Sequence, residues 1–282
     1  MSVRATDRRT VAGLDTTIWA GTGPTVIALA GLTSTSAVWR PLAESMPEAH
    51  LVAPDLRGRG GSQQAAGATG LAAHARDVAA VVGELGLTDV VLVGHSMGAY
   101  LAPVVAQQIP DQVARLVLVD GGIRPALPFF MGPRLTRLTF RKQLRAADKA
   151  WPDVESFARH GKFDRMVAGR PDLREPVMSI LHAELDGGDG SLRPRIDVDR
   201  AADDAVDVFF GPALEPALDA LRVPTWVFLA ENQKWEGQRP FISEKAVAPW
   251  LRRQPQLSVT RLPGNHLTVL FAPEVRAAVL GE

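Results

Sequence analysis

Short, continuous apolar segments separated by helix-like stretches are the feature that most limits how this chain can fold. Val, Leu and Ile dominate most of these segments, which is typical of strands covered on both faces in a parallel sheet. The last segment is weaker because its apolar residues alternate with polar ones. The predicted strands are residues 25–30, 51–53, 90–93, 116–119, 225–229 and 257–262. Strands that alternate with helices predict an α/β fold with a doubly wound, mostly parallel sheet.

Helical periodicity fills most gaps between these strands, and two of the helices open with a proline, which the first turn tolerates. The helices predicted for the sheet domain are residues 71–85, 97–108, 240–251 and 273–280. The alternation stops at residues 121–214. There the chain has helix-like segments and no convincing strand, namely residues 134–150, 154–168, 173–185 and 198–209. We therefore expect a helical cap at residues 121–214, inserted between two strands of a core formed by residues 1–120 and 215–282.

Charge and cysteine content restrict the partners and the chemistry. The chain carries 31 basic and 31 acidic residues, so its bulk charge gives no reason to expect nucleic acid or an anionic membrane as a partner. It has no cysteine, which excludes a disulfide framework, a thiolate metal site and a cysteine nucleophile. No signal-peptide core and no segment of about 20 apolar residues is found. We expect a cytoplasmic protein that acts on a small molecule without a metal or organic cofactor.

A Gly-x-Ser-x-Gly motif at Gly94, Ser96 and Gly98 lies between the predicted strand 90–93 and the helix 97–108. A serine on such a sharp turn has a strained backbone, and small residues two positions before and after it let the turn close. The turn exposes the hydroxyl and directs the N-terminus of the helix at the reacting centre, where negative charge develops. Ser96 is therefore the predicted nucleophile.

Four motifs resemble the α/β-hydrolase family, and the resemblance covers essentially the whole chain. They are GHSMGA at residues 94–99, DLRGRGGS at 55–62, LVLVDGG at 116–122 and LPGNH at 262–266. Within the family the sequence is most similar to esterase-like and lactonase-like members. Type II thioesterases share the GHSMGA turn, but their other motifs fit less well. The resemblance implies a serine hydrolase whose nucleophile, acid and histidine follow one another in that order along the chain.

A serine hydroxyl needs a general base, and histidine suits this role because its pKa lies near neutrality. His266 follows the last predicted strand on a loop and comes last in the chain, and by resemblance it is the catalytic base. His95 lies inside the turn and is expected to point away from Ser96. We expect solvated or packed roles for the remaining histidines, His50, His74, His160 and His182.

The acid that orients the histidine is less clearly marked. By resemblance it usually stands fourth in a Gly-x-x-Asp turn after the strand before the last one, but this chain has Ala230 and Gln233 at those two positions. Asp120, at the end of the strand that follows the turn helix, and Glu231, near the usual site, are the two candidates. We prefer Asp120 because a strand end directs a side chain reproducibly into a site.

Acyl transfer also requires donors for the oxyanion. We predict the backbone N–H of Met97, the residue after the nucleophile, and that of Leu32, in the loop after the first predicted strand. Family members often have a histidine in that loop, where this chain has Ala30, and its absence removes no backbone donor. We assign the two arginines of the DLRGRGGS motif, Arg57 and Arg59, to loop architecture.

The cap should cover Ser96 and shape the substrate pocket. We expect that some of five apolar residues line it: Phe129, Phe130, Met131, Phe209 and Phe210. The basic segment around residues 134–145 would suit docking of an acidic carrier protein, but we prefer to interpret it as a solvated face. The predicted activity is hydrolysis of a carboxylic ester, lactone or thioester through an acyl-enzyme. C–C bond cleavage or non-hydrolytic chemistry with the same triad, and ligand binding with a residual triad, stay open as alternatives.

Overall fold

The structure, a computed structural model, describes residues 6–187 and 191–282. Its strands are β1 (Thr6–Val11), β2 (Leu14–Trp19), β3 (Thr25–Leu29), β4 (His50–Pro54), β5 (Val90–His95), β6 (Val113–Val119), β7 (Leu185–Asp186), β8 (Arg193–Pro194), β9 (Thr225–Asn232) and β10 (Leu257–Asn265). Its α-helices are α1 (Arg40–Ser45), α2 (Leu71–Glu84), α3 (Met97–Gln108), α4 (Pro133–Ala147), α5 (Val154–Gly161), α6 (Phe163–Met166), α7 (Arg174–Glu184), α8 (Val198–Phe210), α9 (Leu214–Asp219), α10 (Glu244–Arg253) and α11 (Pro273–Leu280).

Eight strands form one sheet in the order β1-β2-β4-β3-β5-β6-β9-β10. The pairs β1–β2 and β2–β4 are antiparallel and the other neighbours are parallel, so the predicted α/β fold with a mostly parallel sheet is confirmed. All six predicted strands belong to this sheet. The hairpin β1–β2 was not predicted, because the sequence of β1, TDRRTV, is mostly polar and exposed and has no apolar run to mark it.

Both faces of the sheet are covered because successive residues of a strand point to opposite sides. Ile27 and Leu29 of β3 pack in one apolar cluster with α2 and α3. Val26 and Ala28, on the other face of the same strand, pack in a second cluster with α1 and α11. The doubly wound arrangement fixes the strands rigidly and brings the carboxyl ends of β5, β6 and β9 to one edge of the sheet.

Residues 121–214 run between β6 and the elements that lead to β9, and their described part contains α4 to α8. They also contain a small sheet of β7 and β8, which the sequence did not predict. The predicted helix 154–168 is divided into α5 and α6 at Lys162, which has a left-handed backbone with a φ of 60°. The helix predicted to open at Pro240 begins instead at Glu244. The division of the chain into core and cap stays a prediction.

Helices α4 and α8 of this region pack against each other, and α8 also contacts α2 and α3 of the sheet domain. None of the helices described here combines the length and the apolar character that crossing a bilayer would require.

Candidate active site

Ser96 lies at the turn between β5 and α3, with its backbone in the left-handed region at a φ of 54°. The turn is tight, since a Cβ on Gly94 would collide with the backbone of Gly98, and a Cβ on Gly98 would collide with the carbonyl oxygen of Leu29. Glycine is therefore a steric requirement at these two positions. The N–H of Ser96 donates to the carbonyl oxygen of Val119 at 2.9 Å, which ties the turn to the end of β6.

Asp120 directly follows β6, and its Oδ2 lies 2.5 Å from Nδ1 of His266. The carboxylate is 1% exposed, and its Oδ1 accepts the N–H of Ala230 at 3.0 Å. Burial alone would raise the pKa of Asp120, but the contacts with His266 and Ala230 outweigh burial and leave that pKa below its ordinary value. Asp120 is therefore ionised at neutral pH. This places a proton on Nδ1 of His266 and leaves Nε2 free to accept another.

Glu231, the alternative acid, lies away from this pair. Its side chain is exposed and lines a separate groove with Trp235 and Glu236. Gln233, at the position where the resemblance places the acid, contributes through its backbone instead: its carbonyl oxygen accepts the N–H of His266 at 3.1 Å. The geometry therefore favours Asp120 as the partner of His266.

His95 supports the same loop, a contact that its place inside the turn did not reveal. Its ring is buried, and its Nε2 lies 2.7 Å from the carbonyl oxygen of His266. Burial, followed by repulsion from His266, lowers the pKa of His95 to about 4. The ring is then neutral at neutral pH, with Nε2 as the donor. Both backbone groups of His266 are thus held, the N–H by Gln233 and the carbonyl by His95.

Ser96 and His266 line the same pocket, whose volume is about 200 Å³. The other residues that line it are Leu32, Met97, Tyr100, Phe140, Met166, Ala205, Val208, Phe209, Gln233, Lys234 and Phe241. The surface is mostly apolar, and Lys234 is its one cationic side chain among the residues described. Within residues 6–187 and 191–282, no group of three His, Asp or Glu side chains could hold a metal ion.

Of the five apolar residues considered for this pocket, Phe209 lines it and the other four do not. Phe129 and Phe130 are 101% and 62% exposed, and Phe210 faces a different groove. Three residues of α8 that line the pocket, at positions 205, 208 and 209, have the spacing of one helix face. That spacing could have identified them. No local signal marks Phe140 and Phe241, which reach the pocket from α4 and from the segment before α10.

Leu32 and Met97, the predicted oxyanion donors, both line this pocket. Met97 is the first residue of α3, so its N–H lies at the open end of the helix. Leu32 belongs to a loop after β3 that passes close to the nucleophile, since a Cβ on Gly31 would lie 3.3 Å from Cβ of Ser96. The site thus brings together a hydroxyl, an oriented imidazole and two backbone segments suited to stabilise an oxyanion.

Comparisons with known proteins agree with this fold. A family model described as α/β hydrolase fold matches residues 24–159. The lipase LipV of Mycobacterium tuberculosis is 32% identical over 179 residues, which span 57% of this chain and 66% of the lipase. The 2-(acetamidomethylene)succinate hydrolase of Mesorhizobium japonicum is 28% identical over 261 residues, or 90% of this chain and 86% of that enzyme. A crystal structure of E-2-(acetamidomethylene)succinate hydrolase superimposes with a TM-score of 0.78 at 24% identity and covers 98% of both chains.

Proposed function

Because this chain belongs to the α/β-hydrolase fold superfamily, we propose that it is a serine hydrolase with Ser96 as nucleophile, His266 as base and Asp120 as acid. Its proposed substrate is a carboxylic ester, lactone or thioester of a small, largely apolar molecule. The observation that carries the proposal is the hydrogen bond from the buried Asp120 to His266, whose ring lines the same pocket as Ser96.

In this reaction Oγ of Ser96 attacks the carbonyl carbon of the substrate while Nε2 of His266 takes the hydroxyl proton. The N–H groups of Leu32 and Met97 donate to the resulting oxyanion, each stabilising it by roughly 3 kcal/mol. The imidazolium, stabilised by Asp120, returns the proton to the departing oxygen or sulfur, which leaves an acyl group on Ser96. His266 then deprotonates a water molecule, which attacks the acyl carbon and frees the serine.

The lining of the pocket supports an apolar acyl group. The relatives differ in the substrate that their names give. One is named a lipase, and the other is named a hydrolase of a succinate derivative, which carries negative charge. The aromatic rings of Phe140, Phe209 and Phe241 surround the space, and the hydroxyl of Tyr100 is already used to donate to the carbonyl oxygen of Ile123 at 3.1 Å. An uncharged chain fits this surface better than a pair of carboxylates.

The proposal is tested by the hydrolysis of p-nitrophenyl butyrate. We expect a burst of p-nitrophenolate followed by steady turnover, and a fall in kcat of at least about 1,000-fold in Ser96→Ala. Ser258→Ala, which alters an exposed serine of β10, is the matched control and should retain wild-type activity. Wild-type turnover by Ser96→Ala would contradict the proposal. A folded wild-type protein that cleaves no acyl ester would favour the other reactions of this triad.

The substrate class is tested by comparing p-nitrophenyl butyrate with p-nitrophenyl hemisuccinate. We expect the uncharged ester to have the higher kcat/KM. The opposite preference, abolished by Lys234→Gln, would mean that Lys234 binds a carboxylate and that the substrate is anionic. Unchanged ligand affinity and unchanged biological activity in Ser96→Ala would instead favour a ligand-binding role.

A further inference from the structure

Arg59 contacts both residues that are proposed to supply the oxyanion donors. It belongs to the loop between β4 and α2, and its side chain is 0% exposed. Its Nε donates to the carbonyl oxygen of Leu32 at 2.9 Å, and its Nη2 lies 3.8 Å from Sδ of Met97. One buried guanidinium therefore reaches the loop after β3 and the start of α3 at the same time.

Nη1 of the guanidinium donates to the backbone carbonyl oxygen of Arg57 at 2.8 Å and is bound by a carboxylate from α8. Oδ2 of Asp204 lies 2.5 Å from Nη1 of Arg59, and Asp204 is 1% exposed. Asp204 also accepts the N–H of Gly70 at 2.6 Å and lies 3.1 Å from Nε2 of His74, both in the sheet domain. Burial opposes the charge of Asp204, but His74 and Arg59 hold the pKa of this carboxyl well below its usual range. The same helix lines the pocket through Phe209.

We propose that Arg59 and Asp204 form a positioning pair that aligns the backbone donors of Leu32 and Met97 only when α8 lies against the sheet domain. The inference rests on the proposed function, because it assigns a role to the oxyanion donors of that reaction. Neither side chain touches the reacting atoms, so both act through other residues. Packing of α8 against the sheet domain then closes the pocket and aligns the oxyanion donors at the same time.

Arginine is suited to this role because its guanidinium is planar and donates several hydrogen bonds in fixed directions. The hydrogen bond to the carbonyl oxygen of Leu32 fixes the peptide plane that follows this residue. The backbone dihedral angles of Leu32 are then restricted, and with them the direction of its N–H. The contact with Met97 restricts the first turn of α3. Lysine has the charge but cannot reproduce this geometry.

The test compares Arg59→Lys and Asp204→Asn with wild type in the hydrolysis of p-nitrophenyl butyrate. We expect kcat to fall roughly 10- to 100-fold in each variant, with KM within about threefold of wild type, because oxyanion donors act in the transition state. The affinity for a trifluoromethyl ketone, whose adduct with Ser96 carries an oxyanion, should fall with kcat.

Arg57→Lys is the matched control. Arg57 lies two residues away in the same loop and pairs with Asp77 at 2.5 Å, and among the residues described its side chain has no hydrogen bond or ion pair with Leu32 or Met97. Its backbone carbonyl, which accepts from Arg59, is kept in Arg57→Lys. We expect its kcat to stay within about threefold of wild type. An equal loss of kcat in Arg57→Lys would assign the effect to general weakening of the loop and would overturn the inference. A rise in KM with unchanged kcat in the Arg59 and Asp204 variants would also overturn it.

Two readouts that need no turnover separate this inference from the proposed function. In Arg59→Lys and Asp204→Asn, but not in Arg57→Lys, the methyl resonance of Met97 should shift and the amides of residues 31–35 should exchange faster. If the wild type hydrolyses no ester, the proposed function fails, but these readouts still show whether Arg59 and Asp204 position Leu32 and Met97. If the wild type is active but both variants keep its kcat and its Met97 resonance, the inference alone fails. Should Arg59→Lys not fold, Asp204→Asn decides, because it conserves volume and the acceptor for Gly70.

Discussion

Replacing Asp120 with asparagine preserves the size of the side chain and removes its charge. The asparagine oxygen can still accept the N–H of Ala230, which donates to Oδ1 of Asp120 at 3.0 Å. The amide nitrogen then faces Nδ1 of His266, where Oδ2 now lies at 2.5 Å. Two donors cannot share that contact, so the proton of His266 moves to Nε2, the atom that must accept the proton of Ser96.

The imidazole of Asp120→Asn is thus held in the wrong tautomer for general-base catalysis. We expect kcat for p-nitrophenyl butyrate to fall roughly 10,000-fold, which corresponds to about 5 kcal/mol of transition-state stabilisation. KM should change little, because the pocket that binds the ester is unaltered. Stopped-flow and steady-state release of p-nitrophenolate at neutral pH measure both parameters.

Glu231→Gln is the control for this experiment, since Glu231 is the other acid near the end of β9 and its side chain is exposed. We expect its kcat to remain within about threefold of wild type. A loss of less than tenfold in Asp120→Asn, or a larger loss in Glu231→Gln than in Asp120→Asn, would refute the assignment of the acid.

Three further changes test other parts of the account. Burial raises the pKa of Glu184 to about 7 from its ordinary 4.5, so the folded state retains a proton that the unfolded state releases, and stability falls as pH rises between those values. Between pH 4 and pH 8 the free energy of unfolding, measured with urea, should fall by up to about 3 kcal/mol less in Glu184→Gln than in wild type. The same fall in both proteins would contradict this prediction. Gly98→Ala should lower stability by about 1–3 kcal/mol through collision with Leu29, and an unaltered melting temperature would argue against a tight turn. Phe209→Ala should raise KM for the butyrate about tenfold, whereas an unchanged KM would remove Phe209 from the acyl site.

Local sequence signals were sufficient to predict those parts of the molecule in which a short segment determines its own structure. The turn at Ser96 requires glycine at positions 94 and 98 for steric reasons, and the steric reason is visible in the sequence as a motif between a strand and a helix. Buried parallel strands are marked by continuous apolar runs. The preference for Asp120 followed from its place at a strand end, which is where the structure puts it beside His266.

The remaining features depend on contacts between distant segments, which no local pattern encodes. Phe140 and Phe241 enter the pocket from elements about 100 residues apart in the chain, whereas the neighbouring Phe129 and Phe130 are exposed. The pairing of Arg59 with Asp204 was not predicted, because the two residues lie 145 positions apart in the chain. In the edge hairpin, β1 was missed because an exposed strand needs few apolar residues. Strand β2 was missed because two of its buried residues, Thr16 and Thr17, are polar and interrupt the apolar run.

The central claim is that Ser96 is an activated nucleophile, and covalent labelling tests it most directly. Wild type and Ser96→Ala are treated with a fluorophosphonate, digested and examined by mass spectrometry. The account predicts one adduct per chain in wild type, on the peptide that contains Ser96, and no adduct in Ser96→Ala. Labelling of a different residue, or an unlabelled Ser96 in a protein that still hydrolyses esters, would contradict it.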